Sequence, residues 1–138
     1  MTIQAARLAI TTQFELALAA YPVPKPVVEY DNRNLIDTTK QVLPYISLSI
    51  FNISGKQLDL ADKPMTMQAG QIVISANVKE GGGSLVADRL LDYFIPWFEL
   101  KELGIVRTHS GVASGEKTVK GWCVYPILVP FWWIRVAT

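Results

Sequence analysis

Few side chains in this sequence are of the kinds that catalyse, and their spacing decides how far each can be taken. The one histidine, His109, is followed by Ser110 in Thr-His-Ser-Gly. A hydroxyl beside an imidazole suggests a nucleophile and its base, but neighbours in sequence do not adopt the orienting geometry such a pair needs, and no Gly-x-Ser-x-Gly turn is present. Asp59 and Asp62, three apart, would share one face of a helix; no third ligand of suitable type accompanies them, so turn-forming aspartates in a solvated loop are expected. Gly81-Gly82-Gly83-Ser84 precedes a helical pattern, and free backbone N–H groups at a helix start can receive a phosphate. The run nevertheless matches neither G-x-x-x-x-G-K-[ST] nor G-x-G-x-x-G, and reads as a flexible strand-to-helix turn. Cys123, the only cysteine, lies in an apolar run and reads as a small buried hydrophobe in a reducing compartment. These residues imply no enzyme, no metal and no cofactor.

The elements that would position them follow from periodicity. Residues 2–20 predict an amphipathic helix with Ile3, Ala6, Ile10, Phe14 and Ala17 at helical spacing, ended by Tyr-Pro-Val-Pro-Lys-Pro at 21–26. A short strand is expected at Val27 to Tyr30, then a polar arm at 31–43. Strict alternation over 45–53 and again over 70–78 predicts two half-buried strands that pair as a hairpin, joined by a long reaching loop at 54–69 that carries Leu58, Leu60, Met65 and Met67. A second helix, capped by Ser84, is expected with Ala87, Leu90, Leu91, Phe94 and Phe98 on its stripe; Pro96 should kink or restart it and Gly104 should stop it. A strand at 105–108, a Gly- and Ser-rich loop at 109–120 and an apolar strand from Trp122 complete the chain. The expected fold is α+β: a mostly antiparallel sheet of about five strands with two helices packed on one face, forming a single domain over 1–138.

Composition narrows the partners. The 138 residues carry a net charge of +1, with 13 basic against 12 acidic side chains, which leaves no field for gripping a phosphate backbone. The N-terminus has Gln4, Arg7, Thr11 and Thr12 where a signal peptide needs an unbroken apolar region. Half the residues are hydrophobic and only 18% charged, below the roughly 25% of an average soluble protein, so surface hidden against partners is expected.

The apolar excess is concentrated in GWCVYPILVPFWWIRVAT, residues 121–138. Its run from Trp122 to Ile134 is shorter than the ~20 residues a membrane-crossing helix needs, and Pro126 and Pro130 interrupt it. As a strand, or two strands meeting at a bend, it puts Trp122, Val124, Leu128, Trp132, Ile134 and Val136 on one side and Cys123, Tyr125, Ile127, Val129, Phe131 and Trp133 on the other. Both sides are apolar. Two exposed rings of ~150–250 Å² each would forgo roughly 7 to 12 kcal/mol of gross burial at ~25 cal/mol per Å². Subunits covering one another is therefore the expectation, with Pro126 and Pro130 on an edge or at a bulge; a bulge near Pro130 that turns the aromatics into the subunit's own core is the alternative.

The order of features resembles a known family. A helix leads to VVEYDN at 27–32, a polar arm to PYISLSIF at 44–51, and AGQIVISANVKEGGGSLVADRLLDYF at 69–94 joins strand, turn and helix; GW at 121–122 and an apolar strand with VPF at 129–131 follow. This resembles the tail terminator (tail completion) proteins of long-tailed bacteriophages. The resemblance implies a non-enzymatic structural protein of the virion tail, assembled in the host cytoplasm. It would form a ring, expected to be a hexamer, that caps the tail tube, ends its polymerisation and presents a surface to the head. The implied partners are copies of itself, the tail tube protein and a head-completion or connector protein, with no membrane, while DNA passes through without specific binding. Interface residues expected on this reading are Trp132, Trp133 and Phe131 in the terminal strand, Leu58, Leu60, Met65 and Met67 in the loop, and Leu35 and Ile36 in the arm. Another phage head-tail adaptor or baseplate protein, or a small dimeric ligand-binding domain using Gly81 to Ser84, is the alternative.

Overall fold

A computed structural model of the chain describes residues 3–22, 26–30, 43–57, 65–81, 84–119 and 121–136. Helix α1, Ile3–Ala19, buries Ala6, Ile10, Phe14 and Ala17, a stripe at helical spacing. Ile3, expected on that stripe, is exposed at the first turn. Strand β1, Val27–Tyr30, pairs with β2, Tyr45–Gln57, in parallel, Val27 opposite Tyr45 and Tyr30 opposite Leu48. β2 then pairs antiparallel with β3, Met65–Lys79, through a bulge between Asn52 and Ser54.

The long loop expected at 54–69 is thus largely strand: Ser54, Gly55, Lys56 and Gln57 pair with Ala69, Gln68, Met67 and Thr66. Residues 58–64 lie outside the described residues. The period-two pattern fades beyond 53 and before 70 because Gly55 and Gly70 carry no side chain to mark a face. Gly70 is needed where it stands: a Cβ there would collide with the Phe51 carbonyl oxygen and come 2.6 Å from Phe131 Cζ, whose ring crosses the glycine.

Helix α2, Leu85–Phe94, buries Ala87, Leu90, Leu91 and Phe94. It ends where Pro96 forces a 3-10 turn, Ile95–Trp97, which restarts the coil as expected of a proline. Ser84 precedes α2 but makes no side-chain capping bond. Two short strands follow, β4 at Glu102–Leu103 and β5 at Val106–Thr108. Gly104, with φ +59°, makes the turn between them rather than stopping the helix.

Strand β8, Trp122–Val136, is a single unbroken strand, antiparallel to β3 from Lys79 opposite Trp122 to Met65 opposite Val136. Its other side is lined by three short strands: β5, then β6 at Val112–Ala113 and β7 at Lys117–Val119. The expected Gly- and Ser-rich loop at 109–120 therefore holds two strands. Pro126 and Pro130 are not on an edge. Their lost N–H groups are accommodated because pairing is interrupted at each of them. From Thr108 opposite Phe131, unbroken register would set Val112 against Ile127, yet it pairs with Leu128. From Ala113 opposite Ile127, it would set Lys117 against Cys123, yet it pairs with Val124. One extra residue is inserted on the partner side at each gap, as in a β-bulge, and each proline sits at one. The proline carbonyls are used: His109 N donates to Pro130 O at 2.9 Å and Ser114 N to Pro126 O at 3.0 Å.

The result is an α+β fold with, among the described residues, two helices and an eight-stranded mixed sheet, ordered β1-β2-β3-β8-β5-β4 with β6 and β7 also on β8. A mostly antiparallel sheet of about five strands was expected; the difference is the parallel pairing of β1 and the short strands of two or three residues, too brief to show periodicity. Both helices join one buried cluster with Ile46, Leu48 and Ile50 of β2, alternate residues of β3 from Ile72 to Val78, and Ile127, Val129, Phe131 and Trp133 of β8. Rings bind the helices together: Phe14 stacks on Phe94 at 5.2 Å, Tyr21 meets Tyr93 edge-on at 4.6 Å, and Tyr93 Oη donates to Ala17 O at 2.7 Å. No described helix is long and apolar enough to cross a membrane.

Candidate functional site

The terminal strand settles the question that the sequence left open for its aromatic rings. Alternation along β8 points Phe131 and Trp133 at the helices, where they are 1% and 0% exposed. Their expected role as interface anchors is corrected: the subunit's own core covers them, leaving no ring surface for a partner. Trp133 Nε1 finds no acceptor among the described residues, because its face of the sheet is packed with aliphatic and aromatic groups. Trp132 points the other way, half-buried beside Ala69 of β3 and Arg107 of β5. Arg107 is held by Glu102 at 2.7 Å.

Of the remaining expected interface residues, Met65 is exposed at the end of β3 and Met67 is half-buried opposite Ile134. Both belong to a strand, not a loop. Leu35, Ile36, Leu58 and Leu60 lie outside the described residues, as do Asp59, Asp62, Gly82 and Gly83. The structure thus brings Met65, Met67 and Trp132 to one face of the sheet, the face turned away from the helices.

That face has two characters. Toward β1 it is polar: Asn77 Nδ2 donates at 3.3 Å to Tyr45 O, Ser47 Oγ and Ser75 O, beneath Tyr45 and Trp122, whose rings meet edge-on at 5.1 Å. Lys79 Nζ sits 5.0 Å over the Trp122 ring. Glu29, paired with Ser47, is desolvated there, and burial raises its carboxyl pKa above the ordinary value. Elsewhere the face is apolar. Phe51 is 54% exposed, and Val112 and Val119 are also exposed. The outer side of α1 adds Leu8, 65% exposed, and Leu16. Leu100, the one described non-glycine residue with positive φ (53°), projects from a turn fastened by the buried Thr108 hydroxyl, which donates to Phe98 O and accepts from Lys101 N at 2.8 Å. Sequence reading concentrated on the terminal run and missed these. Phe51 was detectable, because β2 alternation places it with Ser47 and Ser49 on the solvent side.

A cleft of about 310 Å³ lies between α2 and β8, floored by Leu91, Tyr125 and Ile127 and edged by Asp88, Asp92 and Glu116. Asp88 and Asp92 stand one helical turn apart on the same side of α2. Desolvation first, and the Glu116 carboxylate second, raise the pKa of Tyr125. Desolvation, and then a hydrogen bond to Glu116, raise that of Cys123, so its thiol is held in the unreactive protonated form. Among the described residues no group of three or more His, Cys, Asp or Glu is placed to hold a metal ion. His109 and Ser110 are both exposed on the strand-connecting segment.

No family model matches the sequence. No curated protein matches it either. A solved structure that carries only a sequence identifier for a name superposes with a TM-score of 0.70 over 96% of this chain and 96% of its own, at 15% identity, a likeness of fold alone.

Proposed function

We propose that this chain is a tail terminator of a long-tailed bacteriophage: a non-enzymatic structural protein whose copies form a ring, expected to be a hexamer, on the finished tail tube. The ring ends tube growth and presents a docking surface to a head-completion or connector protein. The protein is assembled in the host cytoplasm and resides in the virion tail. The reading rests on the order of features in the sequence. The observation that carries it in the fold is the surplus of apolar side chains that the subunit leaves in water: Leu8 and Leu16 on α1, Phe51 on β2, and Val112 and Val119 on the segment beside β8. Scattered apolar residues are ordinary on a protein surface. Here they occur on a chain with 18% charged residues and on faces that no other described element of the subunit covers. Unlike patches that meet head to tail close into a ring when the rotation per subunit divides a full turn. A net charge of +1 suits a channel through which DNA must slide without being held.

Mixing the purified protein with growing tail tubes tests this. Electron microscopy should show a ring of density at one end of each tube, and tube growth should stop at that end. Tubes that keep lengthening with bare ends would refute the reading.

A further inference from the structure

The cleft between α2 and β8 has an apolar floor and a rim of one sign. Asp88, Asp92 and Glu116 edge it, and no residue lining it is cationic. A cavity of about 310 Å³ matches the lower end of the range for ligand pockets, roughly 300–1,000 Å³. Apolar walls exclude water and strengthen the field of the carboxylates above them. The group that fits is a cation on an aliphatic stem, whose methylenes cover Leu91 and Ile127 while its head meets the acids.

The same chain carries such a group in the right place for a head-to-tail contact. Arg135 is exposed near the end of β8, ten residues beyond Tyr125 of the cleft. At about 3.3 Å per residue the two are separated by roughly 33 Å, opposite ends of one strand. A heterologous contact needs complementary patches on different sides of a subunit, and a strand of this length supplies that separation. Among the other described cations, Arg107 is held by Glu102, Lys79 lies over Trp122 and Arg7 donates to Ile50 O at 2.9 Å; Arg89 and Lys117 adjoin the cleft's own acids in sequence, and of the exposed Lys101 and Arg135 only Arg135 has the guanidinium fork suited to an ion pair at an interface.

We propose that a second copy of this chain fills the cleft, with its Arg135 end of β8 docked between α2 and β8 of the first and the guanidinium set against Asp92 and Glu116. This rests on the ring reading above and names the surfaces that would make the ring. Such a contact is partly exposed, so salt weakens it, and the assembled state should fall as ionic strength rises through the range where the Debye length shrinks to about 8 Å.

Charge reversal tests it on the full-length protein by sedimentation velocity at low salt. The cleft variant D92K/E116K and the strand-end variant R135E should each lose assembly at least tenfold in concentration dependence. Combining all three substitutions in one chain should recover it, and so should mixing the two variants, because each then offers what the other needs. Circular dichroism checks the fold, and the neutral variant D92N/E116Q, expected to show a smaller loss, replaces the cleft variant if that one does not fold. Asp88 is left alone because it stands in the first turn of α2, where a carboxylate favours the helix. If the wild type assembles and the variants assemble equally well, this contact is wrong and the ring reading stands. If the triple variant does no better than the single ones, the pairing is likewise overturned. Wild-type protein that stays in single copies, even on tail tubes, removes the ring and this contact together.

Discussion

At the scale of single residues, burial decides roles that residue type leaves open. Glu29 faces the polar end of the helix-free sheet face, where loss of water raises its carboxyl pKa above the ordinary value. Folding then favours the protonated form. Its contribution is complete below the unfolded pKa and is lost as pH rises through the folded one. Glu29→Gln should therefore melt higher than the wild type at pH 7, with the difference shrinking as pH is lowered toward 4.5 and below; a constant or opposite difference across that range would contradict the assignment. The two neighbouring indoles separate in the same way. Trp133→Ala empties a fully buried site and should cost about 3–5 kcal/mol in urea unfolding. Trp132→Ala, from a half-buried ring on the other face, should cost less than half as much. Equal losses would place both rings in one environment. The alternation of the terminal run was legible, and it sorted Phe131 and Trp133 onto one side and Trp132 onto the other. Which side meets the helices was not, because both sides are apolar and the period-two pattern is symmetric between them.

At the scale of elements, the long periodic segments were readable and the connections were not. α1 and α2 bury nearly the residues their spacing indicates, and β1 occupies Val27–Tyr30 as expected. Strands of two or three residues carry too few positions for alternation, so β4 left no mark after α2, and β6 and β7 were hidden in a segment rich in Gly and Ser. The prolines of β8 were expected on an edge or at a bulge, because they cannot donate to a ladder. The strand takes the second course, with a bulge on the neighbouring segment at each one. The turn before β4 depends on a hydroxyl instead. Thr108 Oγ1 accepts from Lys101 N and donates to Phe98 O, tying the end of the α2 coil to β5. Thr108→Val keeps the shape and removes both bonds, and leaving the buried groups unpaired should cost about 1–3 kcal/mol. Hydrogen exchange at Leu100 and Lys101 should quicken more than at β3 amides; uniform quickening would mean that the turn is not separately held by this hydroxyl.

At the scale of the molecule, the proposal that copies shelter one another's apolar surface rests on different residues from those expected. The terminal rings expected to carry it include two that the subunit buries itself. The surplus lies instead on α1, on Phe51 and along the segment beside β8, joined by Trp132 at half burial. Composition pointed only to a surface less charged than average, since 18% of the residues are charged. The location of the surplus needed the register of every strand. The acidic cleft was equally hidden, because Asp88, Asp92 and Glu116 come together only through packing of α2 against β8. The tail-length distribution of a phage lacking this gene measures the central claim most directly. The account predicts tails that run well past the normal length and fail to join heads, restored to normal length when the protein is supplied in trans; tails of unchanged length would contradict it.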